Sequence, residues 1–347
     1  MVRDKKKLVF INGGKHFWNR EKDILLGFLN DFEVFLIINH SIDTNYSIDD
    51  IIYFCKQHHI KLKIIDYTTR RASNPFMMIK DFINVLDIIK FNPNIIYIES
   101  FGSPYFAIFT CLLLNSNKVI FSILDYKLHP YDKNSFKRSE KFYQFMYLKF
   151  FKNYQLFSYD QAEMMREDYP HKNINVIRLY LIGSDLPRNK NKEEGISTNI
   201  NFLFFGKVFY YKGIDILIQA AEKLSKKYDN FKVTIAGKCD DFNQYEKLIK
   251  NKNIFNLKIY YLNKDEFPDL FSSADYFILP YREVTQSGPL MLGFNYQILP
   301  IASNLRGFSE HIEDGKNGFL FTPDSVNALE DVMEKAINLN DHKKNEI

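Results

Sequence analysis

Two stretches of this sequence gather cations, small residues and free backbone amides at spacings suited to holding an anion. The first reads Phe204-Phe205-Gly206-Lys207-Val208-Phe209-Tyr210-Tyr211-Lys212-Gly213-Ile214-Asp215. Its apolar start predicts a strand ending at Gly206, its middle a loop with two lysines, and Lys212-Gly213 the opening of a helix. Cations and unsatisfied N–H groups then converge where a phosphate would sit. Both ammonium groups are expected to reach one point, as exposed lysines that contribute little to stability; two solvated surface lysines are the plain alternative. The second stretch reads Tyr281-Arg282-Glu283-Val284-Thr285-Gln286-Ser287-Gly288-Pro289-Leu290 and follows another apolar run. Ser287 suits a helix N-cap and Gly288-Pro289 a first helical turn, whose N–H groups offer a phosphate seat facing the first.

Weaker signals lie elsewhere. Gly13-Gly14 after the first apolar run permits close backbone approach by a ligand, although a plain turn needs the same residues. Leu124-Asp125-Tyr126-Lys127-Leu128-His129-Pro130 follows the fifth apolar run and supplies a carboxylate and an imidazole. Arg306-Gly307-Phe308-Ser309-Glu310 and Asp314-Gly315-Lys316-Asn317-Gly318 read as turns, with Glu310 either a helix-start carboxylate in solvent or a site residue. The pairs Asp49-Asp50 and Asp240-Asp241 stand in helix-start contexts and read as caps, not metal ligands.

Short apolar runs alternate with helical patterns along the whole chain, which predicts βαβ units on parallel sheets. Strands are expected at 7–12, 33–39, 61–66, 94–99, 118–124, 155–159 and 174–179, then at 201–205, 231–236, 257–262, 276–280, 298–302 and 318–321. Asn74-Pro75 and Ser103-Pro104 are helix starts, and Ile214, Leu217, Ile218, Ala221 and Leu224 form one amphipathic stripe. A polar stretch between Gly183 and Asn199 separates the two series. The expected division is a domain over 1–185, a linker over 186–199, a second domain over 200–325 and a terminal helix over 326–347. Doubly wound sheets bind ligands at the carboxyl ends of their strands, here in a cleft between the domains.

Composition narrows the classes. At 347 residues the chain has length for roughly two domains, and 46% hydrophobic with 25% charged residues is an ordinary globular balance. A net charge of +4 is too small for a dedicated nucleic-acid binder and fits a phosphate-bearing small molecule or an anionic surface. Three cysteines, Cys55, Cys111 and Cys239, suggest neither a zinc site nor a disulfide framework, consistent with a reducing compartment. The apolar run after the charged N-terminus breaks at Asn12, so no signal peptide is expected, and the apolar run Tyr105 to Leu114 is about half a bilayer span and reads as a buried helix. A helix expected over 135–154 mixes Lys137, Arg138, Lys141, Lys149 and Lys152 with aromatic residues, a pattern shared by core helices and by helices lying on anionic membranes.

The two anion-binding stretches resemble glycosyltransferase family 4, the group 1-like transferases, particularly a subset reading Thr-Gln-Ser-Gly at the donor loop. The resemblance implies an α/β protein of GT-B type, two Rossmann-like doubly wound domains facing across a cleft, and a retaining, metal-independent transfer from a nucleoside-diphosphate sugar, used as co-substrate with no further cofactor. It sets Lys207 and Lys212 on the donor diphosphate, joined by Gly13, Gly14, Ser287 and Gly288, with Gln286 and Glu310 at the sugar and nucleoside. The family's two motif glutamates align with Val284 and Leu292; Glu283, one residue early, stands in for the first, and Leu292 cannot hold a ribose as the second does. The segment carrying Asp125 and His129 resembles a His-Asp-x-x-Pro-His segment, which implies a donor-side hydrogen bond from His129 and an acceptor-orienting role for Asp125. The expected partners are a nucleotide-sugar donor and a glycan or lipid-linked acceptor of surface polysaccharide synthesis, with no nucleic acid, in the cytoplasm or at the inner membrane face. A non-catalytic sugar-nucleotide or glycan binder and a nucleotide-sugar epimerase are the alternatives.

Overall fold

The computed structural model describes residues 5–12, 18–40, 47–68, 74–99, 102–127, 138–178 and 199–339, in two compact units spanning 1–178 and 179–347. The first unit runs β1 (Lys6–Asn12), α1 (Trp18–Phe28), β2 (Phe32–His40), α2 (Ile48–Gln57), β3 (Lys61–Asp66), α3 (Pro75–Phe91), β4 (Ile95–Ile98), α4 (Pro104–Leu113), β5 (Val119–Ile123), α5 (Arg138–Phe150), β6 (Asn153–Leu156), α6 (Tyr159–Asp168) and β7 (Asn173–Val176). Its strands form one parallel sheet in the order β3-β2-β1-β4-β5-β6-β7. Alternation along β1 builds a core on each face: Leu8 and Phe10 meet Trp18, Leu25 and Ile51, while Val9 and Ile11 join the core of Val85, Phe106 and Tyr147. Asn74 and Ser103 cap α3 and α4 by accepting the Phe76 and Phe106 N–H, each ahead of a proline at the first helical position.

The second unit runs β8 (Ile200–Phe205), α7 (Ile214–Leu224), β9 (Phe231–Ala236), α8 (Asn243–Glu246), β10 (Phe255–Lys258), α9 (Phe267–Ser272), β11 (Tyr276–Leu279), α10 (Gly288–Asn295), β12 (Leu299–Ser303), α11 (Arg306–Ser309), β13 (Phe319–Phe321) and α12 (Val326–Ile337). The sheet is again parallel, in the order β10-β9-β8-β11-β12-β13. The predicted stripe of α7 is fully buried, from Ile214 to Leu224. Lys223 of α7 and Lys227, just past the helix end, pair with Glu330 of α12 at 3.3 and 3.1 Å. Burial raises the Glu330 carboxyl, but the hydrogen bonds from Lys227 and Lys223 outweigh it and hold that group below its ordinary range.

Every expected strand is present, with shifts at the ends. β6 begins at Asn153, so the expected helix over 135–154 stops at Phe150, and Tyr159 belongs to α6 because Ser158 caps that helix by accepting the Gln161 N–H. β10 covers Phe255–Lys258, not 257–262. Asp240 and Asp241 do not cap: α8 has no side-chain cap, and Asp240 is held instead by Lys238 at 3.4 Å and Lys207 at 3.6 Å. In α2 the cap is Ser47, with Asp49 and Asp50 in the first turn.

Candidate functional site

Strand order reverses in the second sheet between β8 and β11, and both anion-binding stretches leave from the carboxyl ends of these two strands. That is where an open parallel sheet leaves room for a ligand. Two close backbone approaches fix the loops there. Gly237, with φ +146°, lies so near Gly206 that a side chain would stand 2.1 Å from the Gly206 carbonyl oxygen. Gly213, with φ +63°, lies against the chain leaving β11, where a Cβ would stand 1.9 Å from the Pro280 carbonyl oxygen. Only glycine fits either place.

The result is a largely buried lysine. The short 3₁₀ turn Tyr210–Lys212 carries the Lys212 side chain inward until the residue is 7% exposed, with its ammonium 5.4 Å from the Tyr281 ring centre. Among the described residues no carboxylate or other acceptor binds that ammonium. Burial alone pushes Lys212 down to about 8. The sequence reading took Lys212 for an exposed lysine, and the structure corrects it: the turn tucks the side chain beneath Gly206, where a Cβ on Gly206 would be 3.0 Å from Nζ. The same Gly206 position is 3.7 Å from Pro289 Cγ, so the first turn of α10 flanks the lysine. Ser287 caps this helix as expected, accepting the Leu290 N–H at 3.1 Å, and Gly288 is its first residue. Lys212, Gly206 and the amino end of α10 therefore border one spot.

Lys207 is placed differently. It is solvent-exposed, ion-paired with Asp240 at 3.6 Å and set over the Phe209 ring at 4.7 Å. Lys238 is the first cause, and Lys207 the second, that keeps the Asp240 carboxyl below its ordinary range. Lys207 is thus a mobile second cation only after leaving a weak surface pair.

Arg282, to which the sequence pattern assigns no role, organises the site. Its guanidinium makes a bidentate bridge to Asp215 at 2.9 and 2.8 Å, reaches Asp324 at 2.9 Å and the Tyr210 carbonyl at 3.0 Å, and stacks on the Tyr210 ring at 4.4 Å. Its own N–H donates to the Tyr211 carbonyl at 2.6 Å. The loop after β11 is thereby clamped to the turn holding Lys212. The readable signal was an arginine directly after a strand, opposite an acid in the first turn of the Lys-Gly helix.

Other expected residues are distributed around these. Glu283 and Gln286 are half-buried in the loop between β11 and α10. Leu292 is 7% exposed in the apolar core, which agrees with its inability to hold a ribose. Glu310 is half-buried and ends α11, so it is a helix-end residue where a helix start was one of the expected readings. In the first unit Asp125 is half-buried just past β5, and the residues after it are tied to α6: Tyr126 donates to Asp168 at 2.7 Å and the Lys127 N–H to Gln161 at 2.8 Å. Gly13, Gly14 and His129 lie outside the described residues.

Two doubly wound parallel sheets in succession give the chain the GT-B fold. A glycosyltransferase from Rickettsia africae matches 99% of this chain and 91% of its own with a TM-score of 0.70 at 18% identity. The Anabaena protein HepE in complex with UDP-glucose matches 97% of this chain and 91% of its own with a TM-score of 0.64 at 14% identity. At these identities the likeness is one of fold.

The sequence model of the glycosyl transferases group 1 family matches residues 187–347, the unit that holds Lys212 and α10. A glycogen synthase from Thermodesulfovibrio yellowstonii is 25% identical over 204 residues, 55% of this chain and 38% of its own length. The chain thus spans well under half of that relative.

Proposed function

We propose that the chain is a retaining glycosyltransferase of the family 4 kind, moving a sugar from a nucleoside-diphosphate donor to a glycan or lipid-linked acceptor in polysaccharide synthesis. The observation that supports it most is Lys212, a lysine only 7% exposed whose ammonium has no acceptor among the described residues, beside the amino end of α10. An uncompensated buried charge is costly, and a ligand phosphate is the partner that offsets it. As the bond between sugar and diphosphate breaks, negative charge grows on the leaving phosphate. A desolvated lysine and a capped helix N-terminus stabilise that charge more than they stabilise the ground state. In this reading Ser287 and Gly288 present N–H groups to the diphosphate, Lys207 exchanges Asp240 for it, and no divalent ion is needed. Gly13, Gly14, Asp125 and His129 retain their proposed places on the donor and acceptor side, with Glu283, Gln286 and Glu310 toward the sugar and nucleoside.

A second reading, binding without turnover, is favoured by Leu292, since the residue at the ribose-holding glutamate position faces the core. Incubating the purified chain with a panel of nucleotide sugars separates the two. Transfer or slow donor hydrolysis supports the transferase; binding with no turnover supports the second reading; an isomerised donor overturns both in favour of an epimerase.

A further inference from the structure

Helix α3 is apolar on both sides: Met77, Val85, Ile88 and Phe91 are buried, and isoleucines also face solvent. It buries Asp81 and Asn84 at 0% and 2% exposure while Ile79, Ile83 and Ile89 are 61%, 49% and 43% exposed. The two buried polar residues are satisfied, since Asp81 accepts hydrogen bonds from Ser103, from Tyr67 at 3.1 Å and from Asn84 at 3.4 Å. Water-facing isoleucines have no such explanation. α4 lies between α3 and α5 on the same face of the first sheet, joined to α3 through the Phe82 and Phe109 rings at 5.3 Å and to α5 through Thr110 and Tyr147 at 3.1 Å. Its Leu112 is 62% exposed, and Phe142 and Phe145 of α5 are 47% and 59% exposed. Half of the large apolar side chains exposed among the described residues sit on these three helices. A concentration of exposed apolar side chains of that kind marks an interaction site.

The charges on it have one sign. Among the described side chains of the three helices, the exposed charged residues are Lys80, Lys90, Lys141 and Lys149, whereas Asp81 is buried and Asp87 is held by Lys63. Two copies meeting by symmetry would set lysine against lysine. An anionic lipid surface takes both the apolar side chains and the lysines. No helix among the described residues is long and apolar enough to cross a bilayer, so the contact would be parallel to the surface.

We propose that the outer face of α3, α4 and α5 docks on an anionic membrane leaflet, the apolar side chains entering the headgroup region and the lysines contacting phosphates. The proposal stands apart from the sugar-transfer reading, because vesicle binding reads this face and nucleotide binding reads the second unit. The test is flotation of the full chain with vesicles of phosphatidylcholine alone and of phosphatidylcholine mixed with phosphatidylglycerol, at low and high salt. The expected result is salt-sensitive binding to the anionic vesicles, weakened roughly fivefold for each lysine neutralised in K80Q and K141Q, and lost in the double variant Ile79→Ser with Ile83→Ser. The two lysine variants lie on the surface and report even where the isoleucine pair alters folding, which thermal unfolding checks. No flotation with anionic vesicles, or flotation unchanged in all the variants, overturns the proposal. So does sedimentation as a dimer that the isoleucine variant dissociates, since the face would then be a self-interface.

Discussion

Replacing Lys212 by methionine separates what the ammonium does for folding from what it does for a ligand. The side chain is 7% exposed and its ammonium is pushed from an ordinary 10.5 to about 8 by burial. A lowered lysine means that the folded chain sheds its proton before the unfolded chain does. Below about 8 the folded state carries the buried charge at full cost, and stability rises with pH between about 8 and 10.5. At neutral pH the variant, which keeps the aliphatic packing, is expected to be more stable by up to about 3 kcal/mol, a difference that shrinks across that window. Ligand binding has the opposite sign. A charge-assisted contact contributes about 1.5–3 kcal/mol, so nucleoside diphosphate affinity should fall roughly ten- to hundredfold in the variant. In the wild type it should weaken roughly fivefold from pH 8 to 9 as the ammonium deprotonates, with proton uptake on binding. Urea unfolding against pH and calorimetry with UDP, ADP and GDP in buffers of different ionisation enthalpy read both. A variant that is destabilised at pH 7 yet binds each of these diphosphates as well as wild type would refute the reasoning.

The remaining expectations concern the frame around that lysine. Gly213→Ala places a Cβ 1.9 Å from the Pro280 oxygen at a φ of +63° and is expected to destabilise the second unit by at least about 2 kcal/mol, measured by urea unfolding; a change within 0.5 kcal/mol, on the order of a neutral surface substitution, would show that the loop yields. Arg282→Lys removes the bidentate bridge to Asp215 and the stack on Tyr210, and should destabilise by about 2–4 kcal/mol and lower turnover more than it raises the Michaelis constant for donor, because the clamp positions Lys212, whose charge acts mainly in the transition state. Glu330→Gln should flatten the acid limb of stability: a carboxyl held below its ordinary 4.5 contributes stability present above that value and lost as pH falls below it, so wild type and variant should converge in acid-titrated thermal melts. Turnover should survive excess EDTA; abolition by the chelator with rescue by Mn²⁺ would replace the lysine-and-helix neutralisation with a metal bridge.

The sheets were legible because their information is local. Parallel strands buried on both faces read as short apolar runs, and caps such as Ser103-Pro104 and Ser287-Gly288 announce helices in a few residues. Strand ends were less legible where a competing signal followed, as at Ser158, whose hydroxyl captures the Gln161 N–H and converts an expected strand end into the start of α6. The anion-binding segments were found by residue type, and GT-B was the fold they implied. Their electrostatics were not readable, because burial is decided by partners distant in sequence. Gly237 reaches Gly206 only through the pairing of β9 with β8, and Gly213 meets Pro280 only once β11 lies beside β8. In the segment that holds Lys212 the contacts leave only the glycines Gly206 and Gly213, which a plain turn would also need.

Those two contacts also explain why the site divides its lysines. The loop from Gly206 to Gly213 has both ends seated on other backbone, at Gly237 and at Pro280, so the turn between them has little freedom. The lysine at the fixed end, Lys212, is driven inward against Tyr281, and the lysine at the strand end, Lys207, is left at the surface with Asp240. A preorganised charge in a water-poor place stabilises a developing phosphate charge at no further reorganisation, while a solvated lysine must first give up water and its ion pair. Lys212 should therefore carry most of the effect on turnover and Lys207 mainly tune the approach of the donor. Lys207→Ala is accordingly expected to change donor affinity by less than about fivefold, within the 1 kcal/mol range of an exposed pair, and to be the more sensitive of the two to added salt in its wild-type contribution. Equal losses of turnover on replacing either lysine would mean that burial does not set their roles.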